Sequence, residues 1–303
     1  MQGEGAMTNR KAVLIANPKT GRYESRRASI DELSDYLKSI GVDVELKLTA
    51  GPGDATEIAF RAAHNGTSDV IVAGGDGTIN EAIQGMAGTN ARLAIIPRGT
   101  ANVLARELEL PLEPEEAASL LIRGHSRRVH LGVAINEETN SERYFLLMAG
   151  IGLDASVVLR VQPALKKRVG KLAFWLSGLS HLASWNPRPF TLEIEGKQYD
   201  ATFAAIGKAA RYGGDLSITP RARLDQPDFE ICVFETSSRR QYLRLLSQAM
   251  RNGLTEKSEG VRFLRAKRVR AIGDVPVQVD GEVIGRLPMR FEIAQHSLEV
   301  IVP

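Results

Sequence analysis

The 303-residue chain holds one cysteine, Cys232, so no disulfide can form within it. Its setting in the apolar run FEICVF marks that cysteine as a small buried hydrophobe. Five scattered histidines and a lone cysteine give no zinc-ligand spacing. No G-x-x-x-x-G-K-[ST] element occurs, which excludes the common P-loop NTPases. Excess charge is scarce as well. With 39 Lys and Arg against 36 Asp and Glu, the net charge of +3 does not call for nucleic acid. A pI near 9.0 still suits anionic partners such as phosphates or acidic lipids. The opening MQGEGAMTNR lacks the apolar stretch of a signal peptide. The longest greasy segment, LAFWLSGLSHLASW (172–185), falls short of the roughly 20 residues that a spanning helix needs. These absences predict a soluble, cytoplasmic chain; any membrane contact is expected to be peripheral, at the inner face.

The first 125 residues alternate strand and helix patterns. KAVLIANP (11–18) reads as a buried strand. Ile30, Leu33, Leu37 and Ile40 then recur at helical intervals, and Gly41 stops them. VDVELKLT (42–49) is a strand, followed by a helix with Asp54 as its expected cap and Gly66 as its stop. DVIVA and ARLAIIP (91–97) are two more strands, each followed by a helix, and a last helix carries Pro114 in its first turn. Such alternation predicts a doubly wound parallel α/β sheet. From about residue 127 strands dominate: RRVHLGVAI, RYFLLMAG, FTLEIEG, YDATFAAIG, DFEICVFE, KRVRAIG, VPVQVDGEVIG and MRFEIAQHSLEVIV. Hairpin turns are expected at Glu195-Gly196-Lys197 and Asp280-Gly281. Helical patterns are confined to 155–185 and 238–252, so the second domain is expected to be largely antiparallel β.

Two stretches carry chemistry. In VAGGDGTINEAI (72–83) a strand ends in Gly74-Gly75-Asp76-Gly77-Thr78, and helical spacing resumes at Ile79. Glycines allow close approach, and a helix start offers unpaired N–H groups to a phosphate. A larger residue at Gly75 is therefore expected to weaken nucleotide binding while leaving the fold intact. Phosphate alone does not explain Asp76, which repels it; a metal ion or a reacting hydroxyl does. In IIPRGTANVLARELELP (95–111) a second strand ends in a Gly-Thr turn, where Thr100 reads by default as an N-cap. Paired on adjacent parallel strands, the two turns predict a nucleotide site at one sheet edge. GIGLDA (150–155) matches G-x-G-x-x-A, but no acid stands between Asp154 and Glu193, so a Rossmann dinucleotide site is not expected.

The ordered motifs NPKTG (17–21), Thr49, GGDGTINEA (74–82), PRGTAN (97–102), GIGLDA (150–155) and VDGE (279–282) resemble the diacylglycerol kinase catalytic-domain superfamily. That group includes bacterial diacylglycerol kinases, related lipid kinases and sphingosine kinases, and the resemblance runs from Lys11 onward. It implies an NAD-kinase- or phosphofructokinase-like α/β nucleotide domain over 8–126, joined by about 287–303. A β-sandwich lipid-substrate domain would cover 127–286, with ATP in the cleft between the two. The implied ATP contacts are Asn17, Pro18, Lys19, Thr20, Gly21, Thr49, Gly74, Gly75, Asp76, Gly77, Thr78, Ile79, Asn80, Glu81, Thr100 and Asn102. Asp154 corresponds to the acid near the lipid hydroxyl. Glu282 corresponds to the proton acceptor, and Asp76 to the acid beside Mg2+ and the phosphates.

Departures from the family pattern carry information too. The family's structural-magnesium stretch reads LDQPDFE (224–230) here, leaving Asp225 and Asp228 as candidate ligands with Gln226 in place of an aspartate. A neutral amide is a weaker ligand for a hard dication. Val103 also replaces a frequent acid. The implied function is ATP-dependent phosphorylation of a lipid hydroxyl at a membrane surface. Lys166, Lys167, Arg168 and Lys171, beside Leu172, Phe174 and Trp175, suggest an interfacial segment at 165–185. The rivals are an NAD kinase, which shares the Gly-Gly-Asp-Gly-Thr element, and a non-catalytic nucleotide or lipid sensor on the same fold.

Overall fold

Five of the six residues of β1 (Lys11–Ala16) are buried, as are all six of β3 (Asp69–Gly74) and five of β4 (Arg92–Pro97). Continuous apolar runs of this kind suit a parallel sheet covered on both faces. In the computed structural model, residues 11–20, 29–152, 187–211, 217–251 and 253–303 are described. They form two compact units. One runs to Arg128 and includes Leu298–Pro303; the other is Val129–Ser297.

In the first unit β2 (Asp43–Leu48), β1, β3 and β4 pair in that order, all parallel. Leading out from β1 in both directions, this order makes the sheet doubly wound. The end of β16 (Met289–Val302) adds a further parallel partner through Glu299↔Arg92 and Val300↔Leu93. Helix α1 (Ile30–Ser39) packs with α5 (Pro114–Arg123), and α2 (Asp54–His64) with α3 (Asp76–Met86). A short α4 (Val103–Glu107) follows β4. Ser29 and Glu32 close a reciprocal capping box on α1. At α2 the expected cap is displaced by one position. Gly53, at φ 88°, is the N-cap, while Asp54 accepts from the Ala50 and Gly51 amides at 2.7 and 2.9 Å. Those bonds, Gly51's foremost, hold the Asp54 carboxyl below its usual pKa.

The second unit is an antiparallel β-sandwich. One sheet has the order β12 (Val261–Ala266), β11 (Phe229–Phe234), β10 (Phe203–Gly207), β7 (Met148–Gly152), β14 (Pro276–Val279), β15 (Glu282–Arg286). The other pairs the start of β16 with β13 (Arg268–Ile272), then β8 (Phe190–Ile194) and β9 (Lys197–Ala201). β5 (His125–Asn136) and β6 (Glu142–Phe145) form an antiparallel pair. Phe145, Ile151, Leu192, Ile206, Phe229 and Phe291 interdigitate in the core between the sheets. Helix α6 (Arg239–Arg251) anchors through buried Tyr242, whose hydroxyl meets Thr202 Oγ1 at 2.6 Å.

Both expected hairpins form. Glu195-Gly196 and Asp280-Gly281 carry positive φ at each position (50° and 75°; 46° and 84°), the type I′ pattern that fits strand twist. Two expectations change. RYFLLMAG is not one strand: the chain breaks between Phe145 and Met148, and the halves join different sheets. VRFLRA, absent from the sequence reading, is the edge strand β12. GIG (150–152) lies mid-sheet, with Gly150 opposite Ala205 and Gln278, so its G-x-G is no nucleotide turn.

Gly85 sets the closeness of α2 to α3. A Cβ there would stand 2.3 Å from the Thr56 carbonyl oxygen and 2.6 Å from the Phe60 nitrogen. Gly85→Ala is expected to lower stability by about 1–3 kcal/mol through overpacking, despite alanine's better helix propensity. The urea midpoint measures it; an unchanged midpoint would show that the two helices are free to part.

Candidate active site

In the first unit the expected contacts gather where a doubly wound sheet binds ligands, at the carboxyl ends of its strands. Asn17–Thr20 follow β1, Thr49 follows β2, Gly74–Glu81 end β3 and open α3, and Thr100 and Asn102 follow β4. Hydrogen bonds tie these loops together. Asn17 N donates to the Ala73 carbonyl at 3.3 Å, and its side-chain amide reaches Thr78 Oγ1 at 3.4 Å. Asn17 Oδ1 accepts from the Lys19 amide at 2.9 Å, and Lys19 Nζ donates to the Ala50 carbonyl at 3.2 Å. Arg98 N donates to the Gly74 carbonyl at 2.9 Å. Pro18, Lys19 and Thr100 are exposed; Thr49 is buried.

Several residues turn out to hold the scaffold. Glu81 Oε2 accepts from the Gly53 amide at 3.0 Å, which fixes the start of α2. The Ile79 side chain is in the core, so only its backbone can face a ligand. Thr100 does not cap α4. Asn102 is the N-cap, in a left-handed conformation (φ 48°) that asparagine tolerates better than most residues. Its Oδ1 accepts from the Gly99 amide at 2.8 Å. Asp76 Oδ1 accepts from the Leu104 amide at 3.2 Å, joining the heads of α3 and α4.

The start of α3 is open. Its N-cap is Gly75, with no side-chain cap bond, so no capping side chain covers the first-turn amides at the positive dipole end. The glycines divide by role. A Cβ on Gly75 would sit 3.2 Å from Gly99 Cα, and one on Gly99 only 2.6 Å from Gly75 Cα. These two turns touch backbone to backbone. Gly77 is different: a Cβ there meets nothing within 4 Å. Sequence alone could not separate a packing glycine from a glycine fronting open space.

In the second unit Glu282 opens β15 directly after the Asp280-Gly281 turn, with its side chain 58% exposed and ion-paired to Arg143. The turn is rigidly held. Asp280 Oδ1 accepts from the Leu147 and Met148 amides and Oδ2 from Leu146, each at 2.9 Å. Buried Gln278 accepts from the Gly281 amide at 2.7 Å. From sequence, Asp280 is only a hairpin-turn residue of the VDGE motif, and neither Gln278 nor Arg143 carries a local signal of its role.

The carboxylates suggested for structural magnesium are engaged elsewhere. Asp225 receives Arg223 at 3.0 and 2.7 Å, and Asp228 receives Arg265 at 3.0 and 2.8 Å. Among the described residues no cluster of His, Cys, Asp or Glu could hold a metal. Gly21, Asp154 and the segment 165–185 lie outside the described residues.

Comparisons with known proteins cover the chain almost end to end. Residues 11–134 match the diacylglycerol kinase catalytic domain, and residues 148–302 match the YegS C-terminal NAD kinase beta sandwich-like domain. A diacylglycerol kinase of Mycobacterium tuberculosis is 31% identical over 298 residues, covering 97% of this chain and 95% of that protein. One from Staphylococcus aureus is 30% identical over 300 residues, at 97% and 93% coverage. A solved diacylglycerol kinase from Bacillus anthracis superposes with a TM-score of 0.73 at 22% identity, 97% of each chain covered, and bears on the fold alone. A second structure from that organism reaches 0.78 at 25% identity, covering 97% of this chain and 98% of its own.

The contrast between the glycines is testable. Gly77→Ala, in a helical turn with room for the methyl, should keep or slightly raise the melting temperature. It should nonetheless weaken ATP binding in calorimetry, because the methyl enters the approach to the amides. Gly75→Val should lower the melting temperature as well, through its contact with Gly99, contrary to the expectation from sequence. ATP affinity unchanged in Gly77→Ala would remove the helix start from the binding site.

Proposed function

Because the chain belongs to the diacylglycerol kinase catalytic-domain family, we propose that it is an ATP-dependent lipid kinase. It transfers the γ-phosphoryl group to a hydroxyl of a diacylglycerol-like lipid at a membrane surface. The observation that carries this reading is the uncapped, glycine-fronted start of α3 beside the second glycine turn. The amides of Asp76, Gly77 and Thr78, with the helix dipole, offer fixed positive potential to phosphate oxygens and need no reorganisation. Asn17, Lys19 and Thr49 stand on the neighbouring strand ends and border the same edge.

Asp76 would hold the magnesium that enters with ATP, its carboxylate already oriented by the Leu104 amide. That ion, when bound, neutralises charge on the phosphates. Glu282 takes the proton of the attacking lipid hydroxyl, the part a carboxylate within hydrogen-bond reach can play. Its ion pair with Arg143 and the clamped turn beneath it limit where the carboxylate points. Phosphoryl transfer rests chiefly on such positioning. Asp154 keeps, by resemblance alone, a role near the lipid hydroxyl. Among the described residues no helix is long and apolar enough to cross a membrane.

The reading is tested with labelled ATP and vesicles carrying diacylglycerol, sphingoid base, ceramide or phosphatidylglycerol, with NAD as a soluble acceptor. Label in a lipid product is expected. Label in NADP, or no transfer at all, overturns it.

Glu282→Gln keeps size and polarity but cannot accept a proton. Turnover on the best lipid should fall on the order of 10²- to 10⁴-fold with near-normal ATP affinity. Asp76→Asn should weaken binding of magnesium-ATP as well as turnover. Most of the turnover surviving in Glu282→Gln would pass the role of base to Asp76.

A further inference from the structure

Lys208 follows β10 and is fully buried. Its ammonium donates to the main-chain carbonyls of Arg223 and Asp228 at 3.1 Å each, and to that of Gln226. An ammonium has three donors, and one short loop accepts all of them. Burial lowers the Lys208 pKa to about 8, while the Asp228 and Asp225 carboxylates act to raise it and the Arg265 guanidinium to lower it. Three carbonyl acceptors around one nitrogen call for three N–H donors, which only the charged ammonium supplies.

Family resemblance places a structural magnesium on this same loop, and the donors found here do not fit one. Magnesium asks for six oxygens in a near-ideal octahedron, with carboxylates among them. The carboxylate of Asp225 is held by Arg223 and that of Asp228 by Arg265, in forked pairs. The carbonyls are spent on an ammonium that would repel an incoming dication. Gln226 brings no charge.

We propose that the Lys208 ammonium is the resident cation of the 223–228 loop, standing in for a structural metal. Folding of the second unit is then independent of divalent cations. The consequence reaches beyond the loop. The Lys208 and Ala209 amides donate to the Leu147 carbonyl at 2.9 and 3.1 Å. Leu147 is in turn one of the residues whose amides Asp280 holds beneath the Glu282 turn. On the loop's other side the Leu224 carbonyl accepts from His130 N at 2.8 Å. The ammonium thus braces the loop next to the strand end that fixes the hairpin carboxylate. None of this rests on the kinase reading.

The test uses the full chain without nucleotide, dialysed against EDTA, then assayed for metal content and for melting temperature with and without millimolar magnesium at matched ionic strength. The parent chain should retain less than stoichiometric metal, and its midpoint should move with neither EDTA nor magnesium. Lys208→Met keeps the length of the side chain and removes the charge. It should melt roughly 5–10 °C lower, since three loop carbonyls lose their shared donor. A double variant, Lys208→Met with Gln226→Asp, should regain part of that loss in magnesium, whereas Gln226→Asp alone should not respond. One equivalent of metal held by the parent, or a parent midpoint that falls in EDTA, overturns the proposal. So does a Lys208→Met chain as stable as the parent. If Lys208→Met fails to fold, the metal content and EDTA response of the parent still decide.

Discussion

The first unit depends on a contact between two glycines. Two adjacent parallel strands can deliver their helix starts side by side only if the intervening turns fit between them. At Gly75 and Gly99 they fit because neither residue has a Cβ; an added one would leave 3.2 Å on one side and 2.6 Å on the other. That closeness lets Asp76 reach across to the Leu104 amide and Asn102 reach back to the Gly99 amide. The outcome is a rigid rim around an open helix start, with Gly77 facing empty space above the first turn. Preorganised donors of this kind stabilise charge without having to rearrange.

The second unit solves a complementary problem with charges supplied by the chain. Asp280 is an anion held by three backbone amides, and Lys208 is a cation held by three backbone carbonyls. Both close irregular loops whose polar groups no strand ladder could satisfy, and a buried polar group left unpaired is costly. Leu147 belongs to both arrangements, its amide given to Asp280 and its carbonyl to Lys208 and Ala209. Glu282 inherits its placement from that framework, and the Arg143 ion pair adds a lateral restraint. Glu230 follows the same logic nearby, fully buried yet bonded to the amide and guanidinium of Arg221 at 2.6 and 2.8 Å.

Much of this architecture was legible in the chain because it is written in local rules. The buried runs of β1, β3 and β4 and the helical spacing of α1 through α5 follow from burial periodicity. The hairpins at Glu195-Gly196 and Asp280-Gly281 follow from which residues tolerate positive φ. The clustering of Asn17, Thr49, Gly74–Thr78 and Thr100 at strand ends follows from parallel topology, once the alternation of elements is known. Edge strand β12 escaped because it is half exposed and alternates weakly between buried and open positions.

What only the tertiary structure decided are the pairings between residues far apart in sequence. Nothing near RYFLLMAG announces a break, since the carboxylate that enforces it lies more than 130 residues later, at Asp280. Asp54, Glu81 and Asp76 read as caps or ligands, and the fold assigns each to specific backbone amides, two of them to Asp54. Lys208 reads as one more lysine until burial and three carbonyls give it a counter-ion's place. Sequence determined periodicity, turn geometry and the kinds of groups available, because those are set by neighbours along the chain. Tertiary structure decided which groups each charge satisfies, because desolvation makes that choice only once distant segments have closed around it.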